Sequence, residues 1–282
     1  MQGKIVKIIS NDYTVQSNNN EFVCKSRGKF RNLNITPLVG DLVIFDENNN
    51  YILEILPRTN ELIRPPVSNI DQAFIITSVK DPNFSPNLLD KLLTVIEFNS
   101  IKPIIVFTKF DLLSKKEENE IQTYVDYYES LNYKIFKNNE IELIKNEFNN
   151  KVSVFTGQSG AGKSTLLNKL DPKLNIKTDE ISYALGRGKH TTRHVELIKI
   201  NDGLVADTPG FSSIDFNSMT NSDIRDQFVE FNRFKENCKY KDCMHLKEDE
   251  CAIKKEIEKG NIISSRYESY LNFINNNSKP KW

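Results

Sequence analysis

The sequence predicts a multidomain α/β protein with a small β-barrel, a doubly wound α/β domain and a helical C-terminal domain. Residues 1–56 contain short alternating stretches separated by turn-forming residues, which is typical of a small barrel or sandwich. From Asp71 onward, near-continuous apolar runs alternate with a helical pattern, as expected for a parallel sheet covered on both faces. After about Asn217 the chain is polar and helical, with three cysteines and a histidine close together.

Composition excludes several classes of protein. The chain has 282 residues, with 38 Lys+Arg against 38 Asp+Glu and 38% hydrophobic residues, which is too apolar and too balanced for a disordered chain. No apolar run approaches the roughly 20 residues of a membrane span, and Met1–Ile5 already begins a strand-like pattern instead of a signal peptide. Four cysteines do not suggest a disulfide scaffold, so we expect a cytoplasmic protein without a membrane partner. Zero net charge initially disfavours a nucleic-acid binder.

The N-terminal region predicts five short strands. They are Lys4–Ile9, Tyr13–Gln16, Glu21–Lys25, Asp41–Phe45 and Tyr51–Leu56. A five-stranded barrel of this size fits an OB-fold, which commonly binds oligonucleotides, although other small β-domains fit the same pattern. Arg64-Pro65-Pro66 predicts a linker after this region, because proline lacks an N–H donor and interrupts regular structure.

The central region predicts buried parallel strands and a hairpin. The apolar runs are Gln72–Val79, Ile101–Thr108 and Lys151–Thr156. A helix is predicted after Ser85-Pro86, because leucines and isoleucines recur there at helical spacing up to Ile96. Asn201-Asp202-Gly203 predicts a tight turn between strands at Val195–Ile200 and Leu204–Ala206. Near the C-terminus, Ser265-x-x-Glu268 predicts a capping box that opens the last helix.

One segment matches the phosphate-loop pattern G-x-x-x-x-G-K-[ST]. It reads Gly157-Gln158-Ser159-Gly160-Ala161-Gly162-Lys163-Ser164-Thr165 and lies between a strand pattern and a helix pattern, the context that this motif requires. Its glycines allow successive N–H groups to turn inward, and the helix N-terminus adds partial positive charge. Lys163 is predicted to reach the β- and γ-phosphates and Ser164 to bind Mg²⁺. The alternative is an ordinary glycine-rich turn.

Asp207-Thr208-Pro209-Gly210 follows the second strand of the predicted hairpin. A D-x-x-G segment after a strand fits a carboxylate near Mg²⁺ and a glycine N–H that faces the γ-phosphate. Such turns are common, so these four residues alone are weak evidence. Their position downstream of a phosphate loop predicts nucleotide-sensing roles for Asp207 and Gly210.

Thr108-Lys109-Phe110-Asp111 ends a predicted strand and resembles the N-K-x-D guanine motif of GTPases. In that motif the aspartate accepts hydrogen bonds from N1–H and the exocyclic amine of guanine, a donor pair that adenine lacks. Asp111 is therefore predicted to select guanine, while the stem of Lys109 covers the base. Thr108 departs from the motif's asparagine, and an exposed loop is the alternative.

The order of the motifs is unusual. TKFD precedes GQSGAGKST in this chain, whereas ordinary GTPases have the phosphate loop first. The motifs still converge if the old termini are joined and another loop is cut, as in circular permutation. We therefore predict a circularly permuted P-loop GTPase domain, in which whatever follows Gly210 is attached to a nucleotide-sensing loop.

Cys238-x₄-Cys243-x-His245-x₅-Cys251 groups four possible metal ligands within a short segment. Three thiolates and one imidazole are a natural tetrahedral set for Zn²⁺, and a site closed by protein ligands is structural. The alternative is a chance grouping of cysteines. The remaining Cys24 lies on a predicted strand and is expected to be a small buried residue.

Taken together, TKFD, GQSGAGKST, Gly186–Thr192, DTPGF and the cysteine cluster resemble the circularly permuted ribosome-assembly GTPases of the RsgA or YjeQ family. The resemblance covers nearly the whole chain. It implies an OB-fold domain at 1–63, a permuted GTPase domain at 67–216 and a zinc-binding domain at 217–282. It also implies GTP hydrolysis stimulated by the small (30S) ribosomal subunit, with contacts to 16S rRNA during late maturation. We expect a monomer.

The resemblance also assigns switch residues. Thr192 would close on Mg²⁺ and the γ-phosphate, with Thr191 as the competitor, and the fifth GTPase motif would fall near Phe136–Asn139, where no clear match is present. Phe211 stands where Ras-like GTPases have a water-positioning glutamine, so intrinsic hydrolysis should be slow. We hypothesise that His190 orients the water; an exposed loop histidine is the alternative.

Local charge revises the argument from zero net charge. Lys25–Arg31 contains four basic residues and no acid, and Ile181–Val195 contains three basic residues without a carboxylate. Both could be solvated faces or phosphate contacts. Two functional alternatives remain open at this point: a permuted GTPase that acts on the large subunit or another RNA, and an RNA-binding adaptor that holds nucleotide without turnover.

Overall fold

The computed structural model of the protein describes residues 1–28, 30, 35–63, 66–174, 195–207, 216 and 218–277. Within these ranges, no helix is long and apolar enough to cross a membrane. Lys29, Arg31 and the basic residues between positions 181 and 194 lie outside the described residues. The described chain forms a barrel, a central sheet with helices, and a C-terminal group of short helices.

The N-terminal strands form a closed barrel. They are β1 (Gln2–Ile9), β2 (Asp12–Ser17), β3 (Asn20–Ser26), β4 (Leu42–Asp46) and β5 (Tyr51–Ile55). They pair in the order β1-β2-β3-β5-β4, and β4 returns to pair with β1. Alternate side chains, including Ile5, Val15, Cys24 and Phe45, point inward and are fully buried. The predicted five-stranded barrel and the burial of Cys24 are confirmed.

The predicted linker is partly wrong. Pro66 begins β7 (Pro66–Ser68), which pairs antiparallel with β6 (Glu61–Ile63), so the chain makes a small hairpin here. Proline is tolerated because it occupies the first residue of its strand. The buried carboxylate of Asp41 ties this hairpin to the barrel. It accepts a hydrogen bond from the Ser68 hydroxyl at 2.6 Å and two from the Arg58 guanidinium at 2.7 and 2.8 Å.

The central sheet has six strands in the described part of the chain: β8 (Gln72–Ser78), β9 (Lys102–Thr108), β10 (Lys134–Lys137), β11 (Val152–Gly157), β12 (Val195–Ile200) and β13 (Gly203–Asp207). Their spatial order is β10-β9-β8-β11-β13-β12; β12 is antiparallel to β13, and the other pairs are parallel. The predicted doubly wound domain and its hairpin are confirmed. Alternate residues enter opposite cores: Phe74 and Ile76 pack on one face of the sheet, Ala73 and Ile75 on the other.

Helices α1 (Pro86–Phe98), α2 (Lys115–Ser130), α3 (Ile141–Asn146) and α4 (Lys163–Leu170) accompany this sheet. Helix α1 begins as predicted, since the Ser85 side chain accepts a hydrogen bond from Leu88 N. Helix α2 has a complete capping box between Ser114 and Glu117. Single 3₁₀ turns lie at Phe110–Leu112, Pro172–Leu174 and Lys235–Asn237.

The barrel and the central sheet are joined by strand pairing. β1 pairs antiparallel with β12 through Lys7 opposite Glu196 and Ile8 opposite Val195. The Lys7 ammonium lies 2.8 Å from the Glu196 carboxylate. Apart from the β6–β7 hairpin, the described strands therefore form one continuous sheet of eleven strands, with the barrel at one end. This arrangement fixes the barrel beside the hairpin that leads to Asp207.

The C-terminal part contains α5 (Asn221–Asp226), α6 (Val229–Phe234), α7 (Ala252–Glu258) and α8 (Ser264–Asn277). The predicted capping box is wrong: α8 starts at Ser264, and the buried Ser265 hydroxyl has no described partner. Helix α8 packs against α1 through a buried ionic cluster. The Arg266 guanidinium donates to Asp90 of α1 at 2.7 Å and to Glu230 of α6 at 2.7 and 3.0 Å.

Candidate nucleotide site and metal centre

The phosphate loop connects β11 to α4. Gly157, the last residue of β11, has a φ of 134°, and Gly162, which precedes α4, has a φ of 92°. A Cβ on Gly157 would overlap the Ile76 carbonyl of the neighbouring strand β8. Glycine at this position therefore permits both the backbone turn and the close approach of two strands. The nine predicted residues 157–165 occupy one loop and the first turn of one helix.

Lys163 folds across this loop. Its ammonium donates hydrogen bonds to the carbonyls of Gly157 and Gln158, both at 2.8 Å. Burial lowers the pKa of Lys163 to about 8, because low-polarity surroundings disfavour the charged form. Ser164 follows in the first turn of α4 and is buried. A phosphate group held by the loop would favour the charged form of Lys163 again.

The TKFD segment lies against the phosphate loop. The buried Thr108 hydroxyl donates a hydrogen bond to the Ala161 carbonyl at 2.7 Å. Lys109 has a φ of 65°, and its ammonium donates to the Asp81 carbonyl. Asp111 is exposed in the following 3₁₀ turn. The structure thus brings the predicted base-recognising and phosphate-binding segments together, although about fifty residues separate them in the chain.

Two further loops lie beside these segments, and sequence reasoning missed the first of them. After β8, the Asp81 carbonyl contacts Lys109, and Pro82 lies next to Gly160. After β10, Asn138 N donates to the Phe107 carbonyl at 3.0 Å, so the loop expected to carry the fifth motif lies beside TKFD. The residue types of the first loop gave no signal, but both loops follow parallel strands whose carboxyl ends commonly form ligand sites.

Asp207 ends β13, which pairs in parallel with the phosphate-loop strand β11 through Val154 and Ala206. Its backbone therefore lies at the same edge of the sheet as Gly157. His190, Thr191, Thr192, Gly210 and Phe211 lie outside the described residues. Their predicted roles stay predictions.

The four predicted metal ligands meet in the C-terminal part. The ligand atoms of Cys238, Cys243, His245 and Cys251 all lie within 4.8 Å of one another. His245 Nδ1 is 3.7 Å from Cys238 Sγ and 3.4 Å from Cys251 Sγ. A tetrahedral zinc ion, with bonds of about 2.3 Å to sulfur and about 2.0–2.1 Å to nitrogen, places such atoms about 3.5 Å apart. The donor set and its spacing fit Zn²⁺.

The surroundings of this cluster also fit a cation. Burial raises the pKa of Cys243 to about 12 and lowers that of His245 to about 4, so both side chains are neutral without a metal. A divalent cation would stabilise the thiolates that burial disfavours. The loop is held by the Tyr267 hydroxyl, which donates to the His245 carbonyl at 2.6 Å. Glu248 accepts hydrogen bonds from Met244 N and Leu246 N, both at 2.7 Å.

The strand that carries TKFD precedes the phosphate-loop strand in the chain, yet their loops are in contact at one edge of the sheet. This combination defines a circularly permuted P-loop GTPase. The sequence-family model of the RsgA GTPase matches residues 55–217, and the family model of the RsgA N-terminal domain matches residues 2–52. The chain belongs to the RsgA GTPase family and is a GTP hydrolase.

Curated relatives extend over nearly the whole chain. The small ribosomal subunit biogenesis GTPase RsgA 2 of Oceanobacillus iheyensis is 50% identical over 285 residues, covering 97% of this chain and 96% of the relative. The protein named small ribosomal subunit biogenesis GTPase RsgA in Enterococcus faecalis is 48% identical over 280 residues, covering 97% of this chain and 94% of the relative.

Two solved structures share the fold. The structure described as YloQ, a circularly permuted GTPase, has a TM-score of 0.84 at 38% identity and covers 100% of this chain and 96% of that chain. YjeQ from Thermotoga maritima has a TM-score of 0.86 at 32% identity and covers 99% of both chains. The predicted fold class and the predicted permutation are confirmed.

Proposed function

We propose that this protein binds the small (30S) ribosomal subunit, assists its late maturation and leaves it after hydrolysing GTP. The relatives named above are small ribosomal subunit biogenesis GTPases, and they match the chain from the barrel to the cysteine cluster. The structural observation that carries the proposal is the pairing of β1 with β12. Strand β12 begins at Val195, shortly after Thr192, so the barrel is attached beside the predicted switch segment.

GTP and Mg²⁺ are the cofactors implied by the family. In this proposal, residues 157–165 hold the phosphates, Asp111 selects guanine and Lys109 covers the base. Thr108 keeps these two segments together through Ala161. Ser164 binds Mg²⁺, with Thr192 and Asp207 near the ion. Thr192 and Gly210 respond to the γ-phosphate, so its loss on hydrolysis releases both loops.

The catalytic step needs a group that orients water. Phe211 cannot donate or accept a hydrogen bond through its side chain, so intrinsic turnover is expected to be slow. We assign the orienting role to His190, and a supplied group of this kind can contribute about 10³–10⁵ in rate. If His190→Ala retains full subunit-stimulated turnover, His190 is not the orienting group.

The remaining assignments belong to the same proposal. The domains are residues 1–63, 67–216 and 217–282, and the last contains one structural Zn²⁺ bound by the Cys₃His set. The protein acts in the cytoplasm as a monomer, and its barrel contacts 16S rRNA. Nucleotide and subunit affinities are linked reciprocally. If the protein binds the subunit more tightly with a GTP analogue than with GDP by some factor, the subunit must raise the protein's preference for the analogue over GDP by the same factor.

Phosphate release tests this function. Purified protein is assayed with GTP alone, with 30S subunits and with 50S subunits. We expect low basal turnover that only 30S subunits stimulate, and we expect Lys163→Ala to lose nucleotide binding. Stimulation by 50S subunits would favour action on the large subunit. Subunit binding without stimulated turnover would favour a nucleotide-dependent RNA-binding adaptor.

A further inference from the structure

A polar cleft of about 410 Å³ lies between the barrel and the central sheet. Strands β1 and β2 border it on the barrel side, and the turn between β12 and β13 borders it on the other. Val152, at the start of β11, lines the cleft, whereas Gly157 at the end of the same strand begins the phosphate loop. The cleft is therefore at the opposite end of the sheet from the nucleotide site.

Three lysines line this cleft against one acidic side chain. They are Lys4, Lys151 and Lys199, and the carboxylate is that of the exposed Asp202. Lys151 is engaged by the Gln72 amide oxygen at 3.2 Å and by Glu147 at 3.8 Å. Among the described residues, no carboxylate oxygen lies within 4.0 Å of the ammonium groups of Lys4 or Lys199. Two cations in the cleft are thus available to an anion.

Lys4 is partly buried where the barrel meets the sheet. Burial lowers its pKa, and the negative charge of nearby Asp71 partly opposes this effect. The Asp71 carboxylate accepts a hydrogen bond from Val152 N at 2.7 Å and makes no ion pair with Lys4 within 4.0 Å. A partly buried ammonium without an ion pair is unfavourable, and a bound anion would relieve that cost.

The other lining groups fit a sugar–phosphate backbone. Gln16, Asn18, Asn19 and Asn150 offer amides that can donate to phosphate oxygens or bind ribose hydroxyls. Apolar lining comes mainly from Val152 and Leu204, and none of the described aromatic side chains lines the cleft to stack on a base. Small-molecule sites are predominantly apolar, so a free nucleotide fits this cleft poorly.

The basic character continues along the same edge of the sheet. Lys102 begins β9 and is exposed, and its backbone N–H donates to the Asp71 carbonyl. Lys134 begins β10 but is neutralised by Glu147. Lys102 therefore extends the available positive charge beyond the cleft toward β9, which suits an extended chain of phosphates.

We propose that the cleft between the barrel and the β12–β13 turn binds a phosphodiester segment of an RNA backbone, with Lys4 and Lys199 as its principal cationic contacts. The inference rests on the proposed function, which makes this RNA part of the small ribosomal subunit. It adds a contact surface formed jointly by two domains, so the bound RNA also fixes the barrel against the central sheet. Phosphate contacts of this kind position a protein without reading sequence.

The test uses the full-length chain with Lys4→Gln, Lys199→Gln and the control Lys116→Gln. Lys116 is exposed on α2, at the opposite end of the sheet from the cleft. Binding to 30S subunits is measured with a non-hydrolysable GTP analogue at several salt concentrations. Each cleft variant should bind 30S subunits roughly fivefold more weakly. In a plot of the log of the association constant against log salt, its slope should be less steep than that of the parent by about 1. The control should match the parent.

Basal GTP hydrolysis should be unchanged in both cleft variants, because neither lysine contacts the nucleotide segments. Parent-like affinity and salt dependence in both variants would overturn the inference while leaving the proposed function intact. A parent protein that does not bind 30S subunits would instead refute the proposed function. Titration with a mononucleotide should give one bound equivalent. A second equivalent that Lys199→Gln abolishes would assign the cleft to free nucleotide and overturn the RNA contact.

Discussion

The Thr108 hydroxyl donates a hydrogen bond to the Ala161 carbonyl at 2.7 Å and so links the TKFD segment to the phosphate loop. Thr108 is 1% exposed and Ala161 is fully buried, so water does not compete for this bond. Threonine was the departure from the N-K-x-D pattern. The structure explains how threonine is accommodated here. The phosphate-loop backbone comes close enough for the short Thr108 side chain to reach the Ala161 carbonyl with its hydroxyl.

Thr108→Val should weaken nucleotide binding. The substitution preserves shape but removes the donor and leaves the Ala161 carbonyl without its partner, a loss of about 1–3 kcal/mol. Because about 1.4 kcal/mol corresponds to tenfold, we expect the Kd for GDP to rise about tenfold. The measurement is fluorescence titration with a labelled GDP.

Thr94→Val is the matched control for this substitution. Thr94 is also buried and its hydroxyl donates to a carbonyl, that of Asp90 at 2.8 Å, but it lies on α1 away from the phosphate loop. The Thr94→Val variant should lose about as much folding stability as Thr108→Val but bind GDP with the Kd of the parent. Equal Kd values for Thr108→Val and Thr94→Val would mean that the Thr108–Ala161 link does not serve nucleotide binding.

Nucleotide affinity should fall as the pH rises through about 8. Burial lowers the pKa of Lys163 to about 8, whereas phosphates bind its charged form. Above that pH the free protein must take up a proton to bind nucleotide, so Kd should rise up to about tenfold per pH unit. Below it, Lys163 is already charged and Kd should not change on its account.

Lys163→Arg gives the control for this pH dependence, because a guanidinium stays charged throughout the range. Its Kd is expected to be higher overall, because a larger, planar guanidinium replaces the compact ammonium that contacts the Gly157 and Gln158 carbonyls, but Kd should show no break near pH 8. A parent Kd that is constant between roughly pH 7 and 9.5 would contradict the assigned role of Lys163 burial.

The purified protein should contain one zinc ion per chain, released by chelators together with loss of C-terminal structure. His245 and the three cysteines lie in the segment between α6 and α7, among residues that pack with Phe231 and Tyr270, so the ion would hold this segment together beside α8. Cys243→Ser should bind less than one equivalent of zinc and melt at a lower temperature. Cys24→Ala, in the barrel core, should keep the full equivalent. Zinc-free protein with an unchanged melting temperature would disprove a structural metal.

The sequence predicted features whose signals are local. The phosphate loop, TKFD and the cysteine cluster each place their chemistry within a short segment, and the structure keeps those residues together. The β1–β12 pairing joins segments far apart in the chain and leaves no local pattern, so it was not predicted. Ser265 shows the opposite failure. Its local capping signal was clear, but α8 already begins at Ser264, which places Ser265 inside the first turn instead of at the N-cap, and its hydroxyl has no partner within the described structure.

Arg266→Met should destabilise the contact between α8 and α1. Arg266 is 1% exposed and bonds to Asp90 and Glu230, which are 0% and 1% exposed. Removing the guanidinium leaves buried carboxylates without a cation, at a cost of about 3–5 kcal/mol. Burial already raises the pKa of Asp90, and losing Arg266 raises it further. The variant can therefore take up a proton on folding, and its loss of stability should be smaller near pH 5 than near pH 8.

Urea unfolding of the full chain, followed by circular dichroism at both pH values, measures this loss. Lys239→Met is the control, because Lys239 pairs with Glu250 at the surface, where water and salt screen the pair. It should leave the unfolding midpoint nearly unchanged. If Arg266→Met unfolds at the parent midpoint at the higher pH, the buried cluster does not hold the C-terminal helices to α1, and their apolar contacts alone must do so.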